Sequence, residues 1–534
     1  MQSIAAAGFE NAPEQRVPID LSVRGTIPPW LTGVLYRTGP GTYRIPSSVH
    51  PRGSVNIQHW FDGAGMNHRF EIHPGGQRVS YTSRKSTDDY EKVISDQGKV
   101  PGITFAQQPD ICQTVSPSSP TEISDSPSGV NVSVTLSPDM PGWNQVIEGL
   151  PTNGKLKQYH HLGPKYLVAK TDSNLLQLLD PVSLEPLASA TYKTLDPRLD
   201  GEMSAAHSCW DKETNEFYNF TCKFGPSPTY KVFKINGDSS VEILAQIKDA
   251  PPSYLHSFAM TSKYVILMVW QAHIANYGLS VLYHQNIAQA IEKWKPDSQS
   301  LFYVIDKKNG GVVRKYKTPP FFAFHQINAY DDPANDDIVI DVSVYENHSI
   351  IQHLHLDKLR TLSASNPALI ARPRRFRLPA VKSSTTGKTT AYAQAEFTLP
   401  PSESIELPTV NPANYHLPYR YAYGINHSYS ESDDHYKFSD RIIKIDMEHP
   451  NGGQTKFWTS PGFTPGEPIF VPRPGTGGNT EDDGVLVSIV LDGMRGKSML
   501  VVLDAKSMEE CARAEMESVF PLGFHGVFSQ MGAA

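Results

Sequence analysis

Four histidines carry the chemistry this sequence offers most distinctly. His207 lies in SAAHSCWD, His256 in YLHSFAMT, His325 in FFAFHQINAYDD and His525 in PLGFHGVF. Each stands beside apolar or small residues, and a histidine near a core must satisfy two ring nitrogens, so it needs a specific partner. Imidazole binds zinc, copper, nickel and iron alike. Taken singly, each of the four is more often a satisfied core histidine than a metal ligand. Their separations of 49, 69 and 200 residues permit one side chain per structural repeat to reach a shared axis.

Closer pairs compete for the same role. His160 and His161 are adjacent, and the HLH at 353–355 would put His353 and His355 on one face of a strand. Ordinary packing or a surface position is the more frequent reading of such pairs. No HExxH or zinc-finger spacing stands out. Cys112, Cys209, Cys222 and Cys511 form no CxxC pair, which argues against a thiolate zinc site and a disulfide scaffold.

The elements that must position these residues are strands. From about residue 150 a β-rich run, an Asp or Asn/Gly turn and a returning β-rich run recur. Examples are LLQLLDPVSLEPL, TYKVFKINGDSSVEIL, LFYVIDKKNGGVVRKY, RIIKIDMEHPNGGQTKFW and MLVVLDAKSMEECARAEM. One helix is predicted over 284–294, with Ile287, Ile291 and Trp294 on one face. So many short strands cannot form one open sheet. Radial repetition in a β-propeller removes exposed edges, and a pair of β-sandwich domains is the alternative. The polar segments 113–129 and 380–392 read as surface insertions.

Composition narrows the classes further. The formal charge of -7, from 48 basic and 55 acidic residues, comes with no strongly basic stretch, which sets nucleic acid aside as a partner. The first residues lack the basic and apolar regions of a signal peptide. The most apolar run, Tyr264 to Trp270, is too short to cross a bilayer. A cytoplasmic enzyme is the simplest expectation.

Several further motifs lie in order along the chain: LTGVLYRTGPGTY (31–43), HWFDGAGMNHRF (59–70), IELP (405–408), PYRYAYG (418–424), PGEPIFVPRP (465–474) and EDDGVLVSIV (481–490). Together with the four histidine contexts, they make the sequence resemble the carotenoid cleavage oxygenase family. That family also includes stilbene- and phenylpropene-cleaving oxygenases and a retinoid isomerase. The resemblance implies an all-β fold, a seven-bladed β-propeller with a helical and loop-rich dome over an axial metal site, as a single domain over 1–534. It implies one Fe²⁺ per chain held by His207, His256, His325 and His525, with O₂ as co-substrate. Four neutral ligands leave the metal its full charge, and zinc in such a site could not supply the electron transfer that O₂ chemistry needs.

The resemblance also places carboxylates behind the histidines, where they fix tautomer and direction. Glu406 in IELP is expected to orient His325, and Glu467 in PGEPIF to orient His525. The family's third glutamate falls on Asp172, one methylene shorter, facing His256. His207 has no expected carboxylate partner. The implied reaction uses O₂ to split a C=C bond of a conjugated alkene into two carbonyl products. Stilbene cleavers in the family place a lysine just before the third carboxylate. Here that position is Thr171, and Lys170 one residue earlier would face the other way along a strand. This favours a carotenoid or apocarotenoid over a stilbene or phenylpropenoid, which is the alternative. A polar loop after PDIC (109–112) points to weak peripheral membrane contact at most. A retinoid-type isomerase and a non-enzymatic binding platform are the remaining readings.

Overall fold

An aspartate opens hairpin after hairpin in the computed structural model of the chain. Asp180, Asp306, Asp446, Asp492 and Asp504 each accept the backbone N–H groups two and three residues ahead, which closes the turn with the side chain. Gly310 and Gly311 follow Asp306 with φ of 69° and 82°, a region that favours glycine. The strands on either side pair antiparallel, as the sequence rhythm predicts: Thr229–Ile235 with Val241–Ile247, Ser300–Asp306 with Val312–Thr318, and Lys497–Asp504 with Glu510–Glu515. The structure describes residues 2–108, 126–150, 163–364, 366–382, 390–428, 435–450, 453–475 and 480–530. The polar insertions expected at 113–129 and 380–392, and the His160/His161 pair, fall largely outside them.

Five separate sheets of four or five strands follow one another along the chain between Thr135 and Thr459. The inner edges of neighbours are stitched together. Ser173 bridges to Met203 between the first and second sheets, and His207 to Ser257 between the second and third. The inner strands Ala259–Met260, Phe322–Asp331 and Glu406–Thr409 touch in succession, and His525–Gln530 lies against Thr135–Pro138 to close the ring. Strands such as Tyr264–Val269 (YVILMV) are buried along their whole length, which suits a run without polar alternation.

The rest of the ring corrects the expectation of an all-β, seven-bladed propeller. Two further separate blades do not form. A single ten-stranded sheet, shaped as a half-barrel, completes the five blades. The reason is the strand Ile19–Gly25. Its first half pairs with Val79–Lys85 and its second half with Glu510–Glu515, which fuses two hairpin groups into one sheet. Nor is the fold wholly β, because short helices build a dome over the ring. They include Asp88–Gln97, Leu279–His284, Ile287–Ala290 and Ser349–His353. The single helix expected over 284–294 does not form: His284 ends the helix Leu279–His284, Gln285 is left-handed with φ of 50°, and only the turn Ile287–Ala290 is helical before Ile291 turns extended. The HLH at 353–355 is not a strand. His353 ends one short helix and His355 caps the next.

Candidate metal centre

Four of the six sheets of the ring each deliver a histidine inward. His207 lies between the inner strands Met203–Ser204 and Cys209–Asp211, and His256 lies just before Ala259–Met260. His325 sits within the inner strand Phe322–Asp331, and His525 begins the edge strand of the half-barrel. Their candidate ligand atoms all lie within 4.8 Å of one another. The four residues singled out in sequence therefore converge. Among the described residues, His353, His355, Cys209, Cys222 and Cys511 do not join the cluster.

A carboxylate lies against the Nδ1 atom of three of the four histidines. Glu406 Oε2 lies 2.5 Å from His325 Nδ1, Glu467 Oε1 lies 2.8 Å from His525 Nδ1, and Asp172 Oδ2 lies 2.9 Å from His256 Nδ1. Asp172 thus reaches its histidine directly despite the lost methylene. Its other oxygen accepts the backbone N–H of Ala206 at 3.2 Å, beside His207. Among the described residues His207 has no carboxylate partner.

These bonds decide the tautomers. A carboxylate accepts, so each Nδ1 it faces is a donor, and Nε2 then carries a bare lone pair. Yet His325 Nε2 and His525 Nε2 face each other at 3.2 Å, and His207 Nε2 lies 2.9 Å from His525 Nε2. The first of these pairs has no proton to share, so the contact is no hydrogen bond. A cation between them resolves it. Metal–nitrogen distances of about 2.1 Å put adjacent ligands about 3.0 Å apart, which matches both separations. The residues fit a single metal ion.

Burial keeps the His207 and His525 rings in the form that ligates. Together with the three neighbouring imidazoles, it pushes His207 far below the usual histidine range. Burial also outweighs Glu467 and pushes His525 down to about 4. Burial alone would raise Glu467, but the His525 ring and the Arg37 guanidinium hold its carboxyl below the usual range. Glu406 is held low in the same way by the His325 ring.

A cavity of about 620 Å³ opens onto this cluster. Its walls near the histidines are aromatic: Trp60, Phe61, Phe105, Tyr254, Phe324 and Phe524. The Phe61 ring lies 4.8 Å from Phe105 and 5.4 Å from Phe524, and Phe324 lies 5.8 Å from the His256 ring. Thr171 and Asp172 line the cavity while Lys170 does not. Lys170 is buried on the far side, bonded to the Ser208 hydroxyl.

Two polar residues at the site escaped the sequence reading. Tyr254 donates to Asp172 Oδ2 at 2.8 Å, and Arg37 reaches Glu467 Oε2 at 2.5 Å. Both lie inside quoted motifs. Arg37 left a signal, since a lone cation in the apolar run GVLYRTGPGT demands a buried counter-charge. Tyr254 left none, because a tyrosine in an apolar run is ordinary core.

The chain is similar to known proteins over nearly its whole length. The family model described as retinal pigment epithelial membrane protein matches residues 8–530. A carotenoid dioxygenase of Neurospora crassa is 34% identical, covering 98% of this chain and 91% of its own length. A torulene dioxygenase of Gibberella fujikuroi is 34% identical, covering 98% and 92%. A variant of the Synechocystis apocarotenoid oxygenase has a similar fold, with a TM-score of 0.72 at 21% identity over 99% of this chain and 98% of that one. A four-imidazole centre at the floor of an apolar cavity in this fold defines a mononuclear non-haem iron dioxygenase that cleaves alkenes. The chain belongs to the carotenoid cleavage oxygenase family.

Proposed function

We propose that the chain holds one Fe²⁺ through Nε2 of His256, His325 and His525 together with His207, and uses O₂ to cleave a C=C bond of a carotenoid or apocarotenoid. The observation that carries this reading is the pair of facing Nε2 lone pairs of His325 and His525, 3.2 Å apart, at the end of an aromatic-walled cavity. Ferrous iron bound there would supply the electrons that ground-state O₂ needs to attack a closed-shell alkene. The protein's own part is positional. Asp172, Glu406 and Glu467 fix the rings, and the aromatic walls hold a flat conjugated chain and keep water out. No side chain need move a proton, because oxygen supplies both product carbonyls.

The substrate class is supported by two observations. Lys170 is turned away from the cavity, so no lysine stands there for a phenol, as a stilbene cleaver would require. The fungal relatives carry the names carotenoid and torulene dioxygenase. Such a substrate is stored in membranes, and Tyr277, Leu279, Leu282 and Tyr283 are exposed beside the cavity, with Leu282 also lining it. This apolar rim is the proposed site of weak peripheral contact. No described helix is long and apolar enough to cross a membrane.

The test is anaerobic reconstitution with iron, then ¹⁸O₂ and a mixture of carotenoids, apocarotenoids and stilbenes. Labelled carbonyl products from a polyene are expected, and their masses locate the broken bond. Labelled aromatic aldehydes alone would move the substrate to the stilbene class. An intact carbon chain without label would overturn the cleavage reading.

A further inference from the structure

The three carboxylates behind the histidines are not equivalent. Asp172 takes hydrogen bonds from a tyrosine and a backbone amide, and Glu406 from the Leu407 amide at 3.0 Å. Glu467 alone meets a cation. Arg37 Nη1 reaches its Oε2 at 2.5 Å, and Nη2 donates to the carbonyl of Phe524, the residue before His525, at 3.2 Å. The Arg37 side chain is 2% exposed and that of Glu467 is 9% exposed, so neither charge is solvated. Arg37 stands in the strand Gly33–Thr42, every residue of which is buried. Across the sheet from it, His68 is held neutral by burial, down to about 3. Lys170, the other buried cation near His207, bonds the Ser208 hydroxyl and none of the three carboxylates.

Burying a guanidinium is costly, and a hydrophobic residue in its place would pack a strand core without that cost. Its presence calls for an electrostatic reason, and the charge count supplies one. The four imidazoles are neutral donors. Ferrous iron brings two positive charges, Asp172, Glu406 and Glu467 bring three negative ones, and Arg37 brings the positive charge that makes the sum zero. Loss of one electron from the iron would leave a net positive charge in a buried site of low dielectric, where uncompensated charge is expensive. Without Arg37 the balance inverts, because the ferrous centre would be net negative and the ferric one neutral.

We propose that Arg37 is a positioning residue that, through Glu467, holds the centre in the ferrous state by balancing its charge. The inference rests on the iron reading above and extends it to redox poise. A guanidinium suits the task because it stays protonated and its planar fork grips a carboxylate and a carbonyl at once.

The experiment is a potentiometric titration of the iron-reconstituted protein under argon. One electron per iron passes to ferricyanide and returns from dithionite, and the ferric signal is read by electron paramagnetic resonance. Arg37→Met is expected to raise the ferric-to-ferrous ratio at a fixed potential at least tenfold, a fall in midpoint of about 59 mV. Arg37→Lys should keep most of the native midpoint. The double variant Arg37→Met/Glu467→Gln restores the charge count, and its midpoint should return towards the native one even though both contacts are gone. Glu467→Gln alone removes a negative charge and must move the midpoint upward, so the idea is tested even where Arg37→Met retains no iron. An iron-loaded Arg37→Met with the native midpoint, or a double variant displaced further than the single, would overturn the proposal. A wild-type chain that binds no iron would instead overturn the iron reading beneath it.

Discussion

Tyr254 donates to the same oxygen of Asp172 that receives the Nδ1 proton of His256, at 2.8 Å against 2.9 Å. The phenol also lies 3.4 Å from that Nδ1, so ring, carboxylate and hydroxyl form one tight triangle. The aspartate and the tyrosine fill the space between them, and the short side chain is matched to the hydroxyl.

That match predicts the outcome of lengthening the acid. Asp172→Glu adds a methylene, about 1.5 Å of reach, and drives the carboxylate into the Tyr254 hydroxyl. Iron retention against a chelator should fall roughly tenfold, within the range expected for disturbing a group behind a ligand. In Asp172→Glu/Tyr254→Phe the hydroxyl is gone, and retention should recover. Additive losses in the double variant would show that the two residues are independent.

Glu406 offers the cleaner deletion. Glu406→Gln keeps the shape but removes the charged acceptor facing His325 Nδ1. Iron affinity is expected to drop about 10–100-fold, and the visible spectrum of a cobalt-substituted protein should shift as the His325 ring loosens. An unchanged spectrum and affinity would mean that Glu406 does not orient the ring.

Lys170 gives a pH-dependent prediction. Its amine is buried, with a side-chain environment that lowers it from 10.5 to about 7. Between those values the unfolded chain binds more protons than the folded one, so stability rises with pH across that window. At about 1.36 kcal/mol per unit, the full cost of burying the charged amine is of the order of several kcal/mol below neutral pH. Lys170→Met should therefore melt above the wild type near about pH 6.5, with the gap closing towards about pH 10. A gap that is constant across this range would refute the assignment.

The rim makes a separate prediction. Leu279 is 60% and Tyr283 81% exposed, so replacing both with serine should change stability by less than about 0.5 kcal/mol each. Turnover of a detergent-dispersed polyene should be unaffected, while uptake of the same polyene from lipid vesicles should slow. Equal rates from both sources would remove the rim from the delivery route.

How much of this was legible in the residues varies with the range of the interaction. The hairpins were, because an aspartate turn and its flanking strands are local. The histidines and Glu406, Glu467 and Asp172 were legible only through their motif contexts, since the separations permit a shared axis without requiring one. The number of blades was not legible. It turns on Ile19–Gly25 pairing with residues near 80 and near 512, and nothing in that strand's own pattern names its two partners. The helix over 284–294 failed at both ends, where Gln285 is left-handed and Ile291 is extended and bridges to Ile274, which leaves one helical turn between them. Tyr254 was missed because its meaning lies wholly in what faces it, whereas the lone charge of Arg37 signalled a buried partner without naming which one.

One property of the ring bears on how the centre is assembled. Asp172 and His525 are the outermost members of the histidine shell in chain order, and 353 positions separate them. No hairpin, blade or pair of neighbouring blades holds more than a fragment of the site. A partly folded chain therefore has nothing with which to capture a metal ion tightly, and uptake becomes a readout of completed ring closure. Because the ion binds only the closed ring, its binding free energy adds directly to the stability of the whole. Iron loading and global folding should thus rise and fall together in a titration with denaturant, with one shared midpoint that moves with the free metal concentration.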